Sequence, residues 1–255
     1  MSHQLPGLTT AAKVPTTAFQ LAQLNLGRAV KWNDIGVLSG PSGCGKTFAL
    51  EAFLATARQV QGRQHSYLEM PVDPAPKEFN VRMLTAITGG CDPRSPNYAL
   101  SDQLVEALHG SNRIVVVDEA HNLGVKGLQR LRYLHQRGEF TWTLILSGAT
   151  IAQALFSADE LKTRGEGLVQ FSPLTGPELL ATLHAFHPLL AASTNDQLRF
   201  VDAQYCHGRF RLWAKFLRIC LELAPKLKAT ALNDKLIGVA LAACGSDAWR
   251  SAKRA

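Results

Sequence analysis

The sequence predicts an α/β fold: a parallel sheet flanked by helices, followed by a small all-helical lid. Three observations carry this. Short apolar, β-branched runs alternate with helix-length amphipathic segments up to residue 171, the order expected when helices cross over between parallel strands. After Pro173 only helical periodicities follow. A Gly-rich turn also comes directly after the first apolar strand, at the strand end where such sheets hold ligands.

The elements follow in order. Residues 16–30 read as a helix that Thr16 or Thr17 caps, with Phe19, Leu24 and Val30 on an apolar face. Asn33-Asp34 interrupts it, and residues 35–39 form a strand that enters the Gly40 to Gly45 turn. Residues 47–58 are helical, with Leu50, Phe53 and Leu54 apolar, and residues 67–72 form a second strand. Pro71, Pro74 and Pro76 make a loop, and Gly89-Gly90 stops the helix at residues 78–88. A helix at residues 101–109 precedes Ile114-Val115-Val116-Val117, four β-branched residues that mark a buried strand. Residues 127–136 are helical, 141–147 a strand, 151–156 a short helix and 168–171 the last strand. Helices at residues 178–190, 197–206, 210–223 and 232–243 complete the chain. The expected domains are an N-terminal helical extension (1–30), an α/β domain (31–174), a helical lid (175–244) and a basic tail (245–255).

Composition narrows the function classes. The chain has 255 residues, 46% hydrophobic and 18% charged, which excludes wholesale disorder and fibrous repeats. No apolar run approaches the roughly 20 residues of a membrane helix, and residues 1–14 lack a secretory-leader pattern, so a cytoplasmic location is expected. The five cysteines are scattered without zinc-ligand spacing, which fits reduced thiols. A net charge of +7 points towards a polyanionic partner.

Two motifs carry chemistry. Gly40-Pro41-Ser42-Gly43-Cys44-Gly45-Lys46-Thr47 matches G-x-x-x-x-G-K-[ST] between an apolar strand and a helix. Glycines let the backbone curl so that successive N–H groups face one anion, and the following helix aims its positive end at the same anion. Lys46 adds a full charge for the β- and γ-phosphates, and the Thr47 hydroxyl is placed for Mg²⁺. The expected nucleotide contacts are therefore Gly40, Pro41, Ser42, Gly43, Cys44, Gly45, Lys46, Thr47 and Phe48, with ATP and Mg²⁺ as cofactors. The second motif is a strand that ends in Asp118-Glu119, 72 residues beyond Lys46. Asp118 would hold the Mg²⁺ shell, and Glu119 would be the general base that polarises the attacking water. Asp118-Glu119-Ala120-His121 also spells the box of certain helicases. Two tandem ATPase lobes of about 150 residues each do not fit in this length, so His121 reads as a polar residue just past the strand.

The loop, the Asp-Glu strand, a fourth strand that ends in Leu146-Ser147-Gly148-Ala149-Thr150 and an all-helical lid together resemble the AAA+ branch of the P-loop NTPases. Within that branch, Gly36-Val37-Leu38-Ser39-Gly40-Pro41-Ser42-Gly43 and the Asp118 and Leu146 motifs are most similar to the transposition ATPases of the MuB, TnsC and TniB group. ExeA-type secretion ATPases and origin-recognition ATPases share much of the pattern. The resemblance covers about residues 16–225. It implies a sensor 1 side chain after the fourth strand, where Gly148-Ala149 departs from the usual polar residue and Ser147 or Thr150 would substitute. It implies an arginine finger given to a neighbouring subunit, for which Arg164 is the candidate and a solvated surface arginine the competing reading. It implies a sensor 2 arginine at Gly208-Arg209-Phe210-Arg211, with Arg211 first and Arg209 second.

The basic excess has three candidate locations. Arg209, Arg211, Lys215 and Arg218 share a helix with Phe210, Trp213 and Phe216. Lys126, Arg130, Arg132 and Arg137 form an acid-free stretch. Lys77, Arg82 and Arg94 lie between the second and third strands, where the resemblance implies DNA-contacting elements, and are the expected backbone contacts. The resulting expectation is an ATP-dependent, sequence-independent DNA-binding ATPase that helps transposition. Its partners would be duplex DNA, further copies of itself in a ring or filament, and a transposase. A protein-binding ATPase of the secretion or signalling type is the alternative.

Overall fold

The computed structural model describes residue 8 and residues 11–153 and 167–245, with the side chains of residues 59–61 outside that description. The chain divides into two compact units. A sheet unit comprises Ala18–Pro41 and Lys46–Phe171, and a helical unit takes in the chain up to Thr17, the Ser42–Gly45 segment and Ser172 onwards.

The sheet unit runs α1 (Thr17–Trp32), β1 (Ile35–Ser39), α2 (Lys46–Gln61), β2 (His65–Glu69), α3 (Pro76–Thr88), α4 (Asn97–Leu108), β3 (Ile114–Asp118), α5 (Gly124–Arg137), β4 (Thr143–Gly148) and β5 (Leu168–Gln170). The five strands lie in the order β2-β3-β4-β1-β5, and every pairing is parallel. All residues of β3 and β4 are buried, as continuous apolar runs require when helices cover both faces. The edge strand β2 instead alternates, burying Ser66 and Leu68 and exposing Tyr67 and Glu69. That period of two explains why β2 begins at His65 and not at Tyr67: the expectation followed apolar content, whereas an edge strand follows alternation. Pro71 lies beyond its end.

Helix α1 buries Ala22, Leu26, Ala29 and Val30. Leu24, expected on that face, is instead 53% exposed. Spacings of three and four from Ala22 reach Leu26 and Ala29, and Leu24 falls between them. Helices α3 and α4 share an apolar seam that includes Met83, Leu84, Leu100 and Leu104. A polar knot locks them to α5. Buried Asn80 donates to the Asn97 side chain (2.8 Å) and to Ser101 (3.1 Å), and Arg130 donates to Asn80 (3.2 Å) and Ser101 (2.7 Å).

The helical unit contains α6 (Gly176–Phe186), α7 (Pro188–Ala191), α8 (Asn195–Val201), α9 (Phe210–Leu227) and α10 (Asp234–Ala243). The single helix expected at residues 178–190 is two. Pro188 forces His187 into an extended conformation (φ −156°, ψ 143°), and the chain restarts with Pro188 in the first turn. Thr194 and Gln197 form a capping box that opens α8. A π-helical turn, Asp202–Cys206, then closes the segment. Asp202 Oδ1 accepts from the Gly208 N–H (2.7 Å) and the Trp213 indole N–H (2.9 Å), which fixes the start of α9. Trp213 and Phe216 meet edge to face in the core (centroids 5.9 Å apart), while Arg209, Arg211, Lys215 and Arg218 face outwards. No disulfide joins the five cysteines, and burial pushes the Cys206 and Cys220 thiols upwards.

Candidate nucleotide site

The carboxyl ends of β1, β3 and β4 bring together most of the residues that the sequence singles out. The turn after β1 depends on glycine at Gly40, whose φ is +141° and whose added Cβ would stand 2.0 Å from the Phe171 carbonyl oxygen. The Gly40 N–H donates to the Gly148 carbonyl (3.2 Å), which ties the turn to the end of β4. Lys46 opens α2 and is 9% exposed. Its Nζ folds back to donate to the carbonyls of Gly40 (2.6 Å) and Pro41 (3.1 Å). Thr47 is half-buried, and Phe48 is 40% exposed and packs on Phe19 with ring centroids 5.7 Å apart.

The loop tip, Ser42–Gly45, clusters with the helical unit through Arg211. The Arg211 N–H donates to the Gly43 carbonyl (3.2 Å), and its guanidinium donates to the Ser42 hydroxyl (2.9 Å). A Cβ on Gly43 would come within 2.9 Å of the Arg211 Cβ, so only glycine admits this approach. Arg209, the second sensor candidate, is exposed and precedes the first turn of α9. Cys44 is buried.

Asp118 ends β3 and is 8% exposed. It accepts from the Tyr67 hydroxyl and, through Oδ1, from the Glu119 N–H (2.9 Å). Burial first, and then this hydrogen bond, push the Tyr67 phenol well above its usual range, so it stays a donor. Glu119 adopts a left-handed backbone (φ 50°, ψ 34°), a conformation that costs a non-glycine residue about 1–3 kcal/mol. Its carboxylate lies 3.2 Å from His121 Nδ1. His121 opens no strand or helix of its own: it sits in the short 3₁₀ turn Ala120–Leu123, which carries the chain from β3 into α5.

At the end of β4, Ser147 is fully buried, and its hydroxyl has no hydrogen-bond partner among the described residues. Thr150, the other sensor 1 candidate, is exposed. The Ala149 N–H donates to His121 Nδ1 (3.3 Å). His121, passed over in the sequence, therefore touches both the Asp-Glu motif and the end of β4. The signal available was its place two residues beyond Glu119, but only the 3₁₀ turn brings it back to the strand ends.

Arg164 lies outside the described residues. Lys77, Arg82 and Arg94 are exposed along α3 and the loop to α4. Lys77 Nζ donates to the Arg94 carbonyl (3.5 Å), and Arg82 pairs with Glu78 one turn earlier (2.9 Å). Lys126 and Arg137 are exposed as well, whereas Arg130 is spent inside the α3–α4–α5 knot. No group of three or more metal-ligating side chains occurs among the described residues, nor is any helix there long and apolar enough to cross a membrane.

Residues 31–156 match the family described as AAA domain. No curated protein matches the sequence. Solved structures share the fold at low identity. Cdc6p from Pyrobaculum aerophilum is 16% identical with a TM-score of 0.72, over 92% of this chain and 69% of that one. Drosophila ORC bound to DNA is 14% identical with a TM-score of 0.65, over 97% of this chain and 66% of that one. The RuvB Holliday junction branch migration motor of Thermotoga maritima is 18% identical with a TM-score of 0.56, over 89% and 68%. The chain thus spans about two thirds of the length of each. Strands β1 to β4 of the five-stranded parallel sheet, the loop and the paired acids stand in the segment that matches the AAA domain, and the chain is an ATPase.

Proposed function

We propose that the protein binds ATP along Gly40 to Phe48 and hydrolyses it with Asp118 and Glu119, and that the nucleotide controls assembly of several copies on duplex DNA. The observation that carries the reading is the pair of acids at the end of buried β3, in the same sheet as the loop whose carbonyls Lys46 already reaches. Lys46 would exchange those carbonyls for the β- and γ-phosphates, and Arg211, held on the loop tip, would reach the nucleotide as sensor 2.

The residues present fit magnesium. This hard cation takes oxygen ligands and is bound by one or two protein groups plus phosphate oxygens, not by an all-protein cage. Thr47 and Asp118 supply a hydroxyl and a carboxylate, and the described residues hold no larger cluster. The ion, once bound, neutralises charge that develops on the phosphates. Glu119 takes a proton from the attacking water as its oxygen bonds to the γ-phosphorus, and ADP leaves with the electron pair of the broken P–O bond. Ser147, with an unspent hydroxyl, serves as sensor 1 in place of the polar residue missing at 148–149. Arg164 of a neighbouring copy supplies the finger that stabilises the transition state.

The DNA reading rests on the exposed Lys77, Arg82 and Arg94, which would contact phosphates without reading sequence. A similar fold seen bound to DNA in Drosophila ORC supports it. In this reading the α/β domain spans residues 31–174 and the lid 175–244, and the assembly marks a target for a transposase. Hydrolysis assays with and without duplex DNA, at low and high salt, test it. Stimulation by DNA that disappears at high salt supports the DNA-bound helper. Hydrolysis indifferent to DNA favours a protein-binding ATPase.

A further inference from the structure

His121 belongs to no motif that the reading above uses, yet its Nδ1 serves two neighbours. It lies 3.2 Å from the Glu119 carboxylate and 3.3 Å from the Ala149 N–H. One ring nitrogen cannot satisfy both. To hold the carboxylate, Nδ1 must carry a proton and donate; to serve Ala149, it must be bare and accept. Glu119 itself sits in a left-handed backbone conformation that a non-glycine residue adopts only where its surroundings enforce it. Gly148 leaves the room: a Cβ there would stand 2.9 Å from His121 Nδ1 and 3.2 Å from the His121 backbone nitrogen. Gly148-Ala149, which departs from the usual polar residue, is thus the segment that seats an imidazole.

We propose that His121 is a positioning residue for the general base: its Nδ1–H holds the Glu119 carboxylate towards the attacking water, and the Ala149 N–H at the end of β4 competes for the same nitrogen. The proposal rests on the assignment of Glu119 as general base. His121 need not touch ATP. It fixes the orientation of the group that does the proton transfer, and any movement at the end of β4 changes its hold.

Steady-state ATP hydrolysis by the full chain tests this, with the wild type, Glu119→Gln, His121→Ala, His121→Asn and Gly148→Ala measured together. His121→Ala lowers kcat by about tenfold, the scale expected when an outer partner orients a reacting group, and leaves KM for ATP unchanged. His121→Asn restores most of the rate, because the asparagine Nδ2–H can occupy the place of Nδ1–H. Gly148→Ala pushes the ring away and reproduces the loss without altering His121. Three results overturn the proposal: His121→Ala with wild-type kcat, a rise in KM in place of the fall in kcat, or a loss that Asn does not recover. A chain in which the wild type releases no phosphate, or in which Glu119→Gln hydrolyses normally, contradicts the general-base assignment itself and takes this proposal with it. Should His121→Ala fail to fold, the Asn and Gly148→Ala rates still decide, since a positioning role requires one near the wild type and the other low.

Discussion

Two buried serines show how differently the two units treat polar groups. In the helical unit Ser193, 6% exposed, donates to the Leu189 carbonyl (2.7 Å) and accepts from the Leu232 N–H (3.0 Å). In the sheet unit Ser147, fully buried, has no partner among the described residues. The pattern extends further. Asp202 serves two donors, and Thr194 and Gln197 satisfy each other. The described buried side-chain atoms without a partner, on Ser111, Trp142, Thr143 and Ser147, all belong to the sheet unit. Three of these lie at or before the starts of β3 and β4, and only Ser147 lies at the carboxyl end, beside Glu119 and His121 in the chemistry. A buried hydroxyl without a partner costs about 1–3 kcal/mol. Among the described residues the helical unit avoids this cost, whereas the sheet unit carries it.

Substitutions test this contrast. The largest effect is expected at Glu119. Glu119→Gln lowers kcat by about 10²- to 10⁴-fold, the range for losing a general base, while ATP affinity stays near wild type and the proposed assembly on DNA persists in gel-shift or filter-binding assays. Lys46→Ala next weakens ATP binding by about 100-fold, since a charged phosphate partner is lost. Calorimetric titration checks this, and undiminished affinity would remove Lys46 from the cradle. Ser193→Ala lowers the stability of the chain by about 1–3 kcal/mol, because the Leu232 N–H is left unpaired; urea unfolding reads it, and hydrolysis per folded molecule is unchanged. Ser147→Ala keeps or raises stability, by up to about 1–3 kcal/mol, because an unpaired buried hydroxyl is removed and no hydrogen bond is lost, yet it lowers kcat. If the two serine variants behave alike in both assays, the contrast between the units fails.

Much of this was legible from residue order. The strands were findable because β3 and β4 are buried on both faces and so read as unbroken apolar runs. The loop and the Asp118-Glu119 pair were legible because their chemistry depends on adjacent residues at fixed spacing. Edge strand β2 was harder, since half its residues are polar by position. The break at Pro188 was written in the sequence but outweighed by a continuous apolar periodicity on either side. What the sequence could not show was contact at a distance. Tyr67 donates to Asp118 from a strand 51 residues away, and His121 meets Ala149 across 28 residues. Arg130 reads as one more cation of an acid-free stretch, and only the fold shows it half-buried in the knot with Asn80 and Ser101. Motifs encode what neighbours along the chain do together, whereas partners supplied by a different strand are set by sheet order, here β2-β3-β4-β1-β5.

The most direct measurement is a crystal structure of the Glu119→Gln chain grown with ATP and magnesium. The expected result is a triphosphate along Gly40 to Thr47, Lys46 Nζ moved from the Gly40 and Pro41 carbonyls onto its phosphates, and the metal held by Thr47 and Asp118. Nucleotide bound elsewhere, or Lys46 still on its own loop beneath an ordered triphosphate, would contradict it.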